Sequence, residues 1–446
     1  MQREPRKVRG LIRIALLNIL FIGGHVTAYA QPPPKYIPPG CQGKPLLSIS
    51  RSEMEVGAAP AGKLNPAIKQ TDQITVLDAL TKAIDAHYVY RDYNGQNWPA
   101  IVAEYRAKIE LGRDTEAFYA DMAKFVKQLG DDHSYFSSPV EVAAIRAALA
   151  GKNTYVGVGA LFKPMVGKNR VSILSVIPDS PADKSGLKPH DTVLAVDGFA
   201  LIENDLVQQW RTRGPECSLA VLTVESPGQS KRDISVVRFR ISAPLPVFTH
   251  LVTTSDGRRI GYIFVPSFFD LTVTEQVKKA LTTFGKLDGL IIDNRMNGGG
   301  SSLALEPMLG LFTSGTVGHY LSPAGRRPLT IAAGPVSNSQ TVPLTVLVGK
   351  DTVSYGEVFA GVLQDLGRAR IVGQRTKGNV ETLRGFNFAD GSQAWIAVES
   401  FEPVRSRLGW EKRGVKPDVE AYADWDTFTT ENDPGVAAAL KLLTGK

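Results

Sequence analysis

Ser354 stands in the stretch KDTVSYGEVFAGVLQDLG, Lys350 to Gly367, where an apolar run ends and a helical pattern begins. Two chemistries share that spelling. Ser354-Tyr355-Gly356-Glu357 is the S-x-x-E capping box of an ordinary helix N-terminus. A serine at a strand-to-helix turn is equally a nucleophile presented to substrate. A nucleophile needs a base, and six histidines narrow the search. His25 falls in the apolar leader, His190 in a turn of the β-rich middle, and His87 on a helical face. His250 and His319 lack a polar neighbourhood in sequence. His133 stands in GDDHSYF, beside carboxylates able to orient an imidazole. Asp131, Asp132 and His133 also raise a metal site, but their spacing fits no standard zinc pattern. No metal or organic cofactor is implied. The last chemical stretch is DNRMNGGGSS, Asp293 to Ser302, directly after the apolar GLII. Glycines after a strand let the backbone turn tightly and expose N–H groups, which can receive an oxyanion. The same text also spells an ordinary βα loop, but neither G-K-[ST] nor G-x-G-x-x-G, so phosphate binding is not indicated.

Positioning these residues takes several domains. A chain of 446 residues exceeds what one core usually holds, and 43% hydrophobic with 21% charged residues describes a globular protein. Residues 1–30 read as an export signal: a basic start, the apolar IALLNILFI, and Ala28 and Ala30 as an A-x-A cleavage site. The apolar run is about half a bilayer span, so no stable membrane span is expected after cleavage. Five basic residues against one acid in that segment supply +4 of the formal +7 charge. The remainder gives no argument for nucleic acid. Residues 31–72, opening QPPPKYIPPG, read as a proline-rich linker. Residues 73–150 read as helical: Val76, Leu77, Leu80, Ile84 and His87 recur on one face, and two further helices end at Gly130. His133 is thereby delivered to a loop. Residues 151–242 are β-rich, with strands at RVSILSVI and SLAVLTVE and a short helical piece at NDLVQQWR. In 243–446, strands in RIGYIFVPSF, LDGLIIDNR, PLTVLVG and ARIVGQ alternate with helices, an α/β layer with a largely parallel sheet. Cys41 and Cys217 can pair in an oxidising compartment, but the sequence leaves that open.

Taken in order, LGDDHSYF, IGYIFVPSF, DNRMNGGG, SYGEVFAGVLQDLGRARIVGQRTKGNVE and EKRGVKPDVE resemble the carboxyl-terminal processing (tail-specific) serine peptidases, the family that includes the core of tricorn protease. The resemblance implies a multidomain α/β fold. It comprises a peptidase core of the tail-specific, crotonase-like type, a PDZ-like β domain and an N-terminal helical region. Val156, Gly157, Val158 and Gly159, in YVGVGALF, fall where the family binds a peptide carboxylate while the peptide adds as a strand. Ser354 falls on the nucleophile. The lysine usually found in T-x-G-K is Asn379 here, and asparagine cannot serve as a base. Lys377, two residues earlier, is the alternative base. The tricorn-like branch instead uses a histidine supported by a late glutamate, matched by His133 in DDHS and Glu411 in E-x-x-G-V-x-P-D. The implied assembly is Ser354, His133 and Glu411. The implied oxyanion donors are the N–H groups of Tyr355 and of Gly298 or Gly299. The chain is thus expected to be an exported serine endopeptidase, periplasmic or secreted, cutting proteins or peptides near free C-termini through an acyl-enzyme. The missing lysine raises one alternative, an inactive PDZ-containing peptide-binding protein on a peptidase fold.

Overall fold

The computed structural model describes residues 32–48, 65–149, 154–203, 206–242 and 246–445; residues 1–30, read above as an export signal, lie outside them. Helices Gln70–His87, Trp98–Glu110 and Thr115–Lys127 follow the expected periodicity. Asn97 and Asp114 start the second and third by accepting the N–H groups of Ala100 and Ala117. The first helix buries Val76, Leu77, Leu80 and Ile84, while His87 stacks on Phe386. These helices close no core alone. Phe118, Met122 and Phe125 pack with Ile396 and Ala397, which come from a strand far downstream. Past Lys127 the chain turns at Gly130 and enters the short strand Tyr135–Ser137, antiparallel to Gln393–Pro403.

The β-rich domain is a sheet in the order Leu47–Ser48, Ser218–Glu225, Thr192–Val196, Arg170–Val176, Ala160–Met165. Val171, Ile173, Val193, Leu222 and Val236 fill its core. The last strand, Ala160–Met165, has an open outer edge among the described residues. Two expectations are corrected here. Residues 32–48 are not a free tether: Cys41 is fully buried and disulfide-bonded to Cys217, and Leu47–Ser48 adds a parallel strand to the sheet. The apolar surface of Leu219, Val221 and Val237 gives that segment something to bury against. Asn65 is likewise docked, donating backbone and side-chain N–H to Glu116 at 2.9 Å each. The stretch NDLVQQWR is also not an α-helix. Over its described residues, Leu206–Val207 pairs with Ile202–Glu203 and a 3-10 turn spans Gln209–Thr212. Eight residues are too few for a helix to hold unaided. The Arg211 guanidinium meanwhile grips both Glu203 oxygens at 2.9 Å, which favours the hairpin.

The core sheet runs Phe248–Thr253, Arg259–Phe264, Gly289–Asp293, Leu344–Val348, Arg370–Gly373, Val419–Glu420, parallel after its first antiparallel pair. Leu290, Ile292, Val346 and Val348 face the layer of helices Val273–Phe284, Ser302–Gly310 and Tyr355–Asp365. Ile291, Leu347 and Val372 face helix Pro434–Thr444. Burial on both faces is why these strands read as unbroken apolar runs. A second sheet, not anticipated, orders Gly325–Ile331, Gly315–Ser322, Gln393–Pro403 and Tyr135–Ser137, with Thr382–Asn387 also paired to Gln393–Pro403. The β-rich domain docks on the core around Trp425. Its indole N–H donates to the Ile173 carbonyl at 3.0 Å, and His190 Nδ1 meets the Trp425 carbonyl at 2.9 Å. Lys163, on the open edge strand, pairs with Asp351.

Candidate active site

Three neighbouring parallel strands send their loops to one end of the core sheet, the end where open α/β sheets place ligands. After Leu344–Val348 comes the turn to Ser354, N-cap of helix Tyr355–Asp365. Its φ of 56° and ψ of −126° are sterically costly for a residue with a Cβ, on the order of 1–3 kcal/mol, so the surroundings must hold it. They do so through its N–H, which meets the Asn379 carbonyl at 2.9 Å and Glu357 Oε2 at 3.1 Å. Glu357 is fully buried and also accepts from Thr376 Oγ1 at 2.5 Å, Gly378 N–H at 2.6 Å and Asn379 N–H at 2.9 Å. Burial pushes its carboxyl above the usual range, and those four hydrogen bonds oppose the push. The capping glutamate therefore also cross-links the helix to the 376–379 segment.

The glycine loop follows Gly289–Asp293 and lies against Ser354. A Cβ on Gly299 would stand 2.7 Å from Ser354 Cβ and 3.1 Å from its Oγ, and φ there is +92°. Gly300 pairs with Phe268, and a Cβ there would meet the Phe268 carbonyl carbon at 2.1 Å. Backbone bonds from Phe268 N–H to the Gly299 carbonyl (2.8 Å) and from Ser301 N–H to the Phe268 carbonyl (3.0 Å) fix the loop. The Gly299 N–H donates to buried Asn297 Oδ1 at 3.0 Å. The Gly298 residue is exposed, and among the described residues no acceptor is bonded to its N–H or to that of Tyr355, the first residue of the helix. Of the glycines named from sequence, Gly298 is thus the one with an open donor.

His133 arrives from the helical region. Asp131 Oδ1 accepts the N–H groups of His133 (2.9 Å) and Ser134 (2.5 Å), and Asp131 Oδ2 accepts the Tyr88 hydroxyl at 2.8 Å. Ser134 Oγ in turn takes the Ala397 N–H at 3.0 Å, tying the loop to the second sheet. The His133 ring is mostly covered, and its Nδ1 faces Glu381 Oε2 at 3.6 Å. Sequence reasoning passed over Glu381, although it closes the TKGNVE stretch, two residues beyond Asn379. Glu411 reaches this cluster from behind: its Oε2 accepts the Val380 N–H at 2.8 Å, and its carboxyl meets that of Glu381. Burial and the facing Glu381 push Glu411 well above the usual carboxylate range. Burial acts the same way on Glu381, but the facing His133 imidazole and hydrogen bonds with Glu411 and Tyr90 outweigh it and hold that carboxyl low. Lys377 turns elsewhere, 3.7 Å from Asp132 with its side chain half exposed. In the β-rich domain Val156 pairs with Arg240, while Gly157, Val158 and Gly159 are buried. The Val158 and Gly159 carbonyls accept from Ala182 and Ile177.

Comparison with known proteins gives a consistent result. The model of peptidase family S41 matches residues 259–421, and the tricorn protease C1 domain model matches residues 75–127. A carboxyl-terminal-processing protease of Picosynechococcus sp. is 30% identical over 402 residues, covering 86% of this chain and 92% of that protein. One from Synechocystis sp. is 28% identical over 394 residues, 86% and 90% of the two chains. The solved photosystem II D1 C-terminal processing protease superposes with a TM-score of 0.56 at 26% identity, covering 83% of this chain and 98% of that one.

Proposed function

The chain belongs to the carboxyl-terminal-processing serine peptidases of family S41, and on that footing we propose that it cleaves polypeptides near their C-termini through an acyl-enzyme on Ser354. One observation carries the assignment: Ser354 is held at a strained strand-to-helix turn with the glycine loop packed against its side chain. Ser354 Oγ attacks the scissile carbonyl while His133 removes its proton, with Nδ1 turned to a carboxylate and Nε2 left to act. The N–H groups of Gly298 and Tyr355 receive the oxyanion, aided by the positive end of the helix Tyr355–Asp365. His133 then returns the proton to the leaving amine, and water repeats the cycle on the ester. The open edge of Ala160–Met165 offers a substrate tail a strand to pair with, and Lys163 on that strand already reaches Asp351, beside the nucleophile turn. An exported, oxidising setting fits the Cys41–Cys217 bond. Among the described residues no helix is long and apolar enough to cross a membrane.

A fluorophosphonate probe and a peptide-cleavage assay test the base. Labelling is expected on Ser354 and to vanish in Ser354→Ala. His133→Ala should lose ~10²–10⁴ in rate, the usual cost of a general base, and Lys377→Ala far less. A dead Lys377→Ala beside an active His133→Ala reverses the assignment. Absent labelling with peptide binding intact would make the chain a binding protein.

A further inference from the structure

Among the described residues, the buried polar atoms without a hydrogen-bond partner include His133 Nδ1 and Glu381 Oε2. These two face one another at 3.6 Å, too long for a hydrogen bond and too close for indifference. Glu381 is almost fully buried, and its other oxygen accepts the Tyr90 hydroxyl at 2.8 Å. Burial and the Glu381 charge keep the Tyr90 phenol protonated, so it is a dependable donor. Glu411 contacts the same carboxylate and takes its own hydrogen bond from Val380 N–H. Two buried carboxyls in contact share one proton, because both cannot ionise at that distance without large cost.

We propose that Glu381 is the carboxylate that positions His133, and that Glu411, anchored by the Val380 N–H, stands behind it and fixes the Glu381 side chain. This rests on the reading of Ser354 and His133 given above. Substrate binding has then only to shorten the 3.6 Å gap for His133 Nδ1–H to donate to Glu381 Oε2, which leaves Nε2 as the free base. Catalytic hydrogen bonds are often long before substrate arrives. The pair supplies one negative charge rather than two. The groups that bear on it are Tyr90 and His133 in direct contact, Tyr88 and Asp131 beyond them, Glu357 beside Glu411, and Lys412 over the Tyr90 ring.

Kinetics of the full chain separate the two glutamates. Glu381→Gln should lower kcat by ~10²–10⁴ with KM little changed, as when an orienting carboxylate is neutralised in a serine triad. Glu381→Asp keeps the charge one methylene further off, so it should lose kcat by less than Glu381→Gln, again with KM little changed. Glu411→Gln mimics the protonated carboxyl and should lose less than about tenfold, well short of Glu381→Gln. It should also erase any alkaline limb arising from the Glu411 proton. If Glu381→Gln does not fold, Tyr90→Phe with Glu381→Asp reports on the same contact, and both are expected to cut kcat at unchanged KM. Equal losses in Glu411→Gln and Glu381→Gln overturn the proposal, as does a near-normal Glu381→Gln beside a dead His133→Ala. A fully active His133→Ala instead removes the base reading on which it stands.

Discussion

A methyl group on Gly299 would enter the space of Ser354 itself, 2.7 Å from its Cβ, at a backbone angle of +92° that side chains rarely adopt. Gly299→Ala should therefore cost ~1–3 kcal/mol of stability from strain and clash. Its kcat should fall on the order of 10²–10³, because Ser354 and the neighbouring donors shift together. Gly298→Ala is the control: nothing lies within 4 Å of its Cβ and its N–H is retained, so it should lose far less. Peptide cleavage with parallel thermal melts reads both, and equal losses would mean that the loop, not the approach to Ser354, sets the sensitivity. Ser354, His133 and this loop, parts of the proposed site, could be singled out from residue type and local spelling. Glu381 closes the TKGNVE stretch but could not be, because its approach to His133 depends on distant pairing. His133 reaches it only because Tyr135–Ser137 pairs with Gln393–Pro403 and Thr382–Asn387 pairs with that same strand. A spelling that ends at Asn379 invites a search for a lysine, and the nearby lysine turns to Asp132 instead.

The same contrast holds for elements. The parallel strands and their helices could be read because apolar runs and helical periodicity are properties of short windows. The second sheet could not: Gly325–Ile331 presents Arg326, Arg327 and Pro328 to solvent, and Gln393–Pro403 alternates without a clean period. Its strands exist because they pair with each other, which no window records. The helix Tyr355–Asp365 shows how much one side chain can organise at this scale. Glu357 accepts four hydrogen bonds, from Ser354, Thr376, Gly378 and Asn379, and so joins the Ser354 turn to the segment leading to Glu381. Glu357→Gln leaves one acceptor oxygen where there were two and places an NH₂ against donors. A loss of about 2–4 kcal/mol is expected in chemical denaturation, since hydrogen bonds to a charged group contribute ~1.5–3 kcal/mol each. Because burial raises the Glu357 carboxyl above its unfolded value, its titration favours the fold at low pH and loses that contribution as pH rises through the folded value. The penalty of Glu357→Gln should thus shrink as pH rises, and a penalty that grew with pH would show that the hydrogen bonds outweigh burial.

Across the whole molecule, the bond between Cys41 and Cys217 joins residues 176 apart and encloses the helical region and most of the β-rich domain. In the chain-entropy account a cross-link over such a loop is worth about 5 kcal/mol, by restricting the unfolded chain. Its ends pack with Leu219, Val221 and Val237, a cluster that shares no residue with the one holding the helix Tyr355–Asp365. Stability and catalysis should therefore separate. A Cys41→Ser, Cys217→Ser variant is expected to melt roughly 10 °C lower, given ~2–4 °C per kcal/mol for domains of this size. At 25 °C the folded fraction should still label with fluorophosphonate at a rate within about threefold of the parent, a gap of under 1 kcal/mol. The β-rich domain retains its seat on Trp425, through the indole bond to Ile173 and the His190 ring packed at a tilt against it, and neither involves the disulfide. Should labelling collapse while the fold persists, the N-terminal segment must act on Ser354 through that seat. The Lys163–Asp351 pair, which spans the same junction, would then be the first contact to remove.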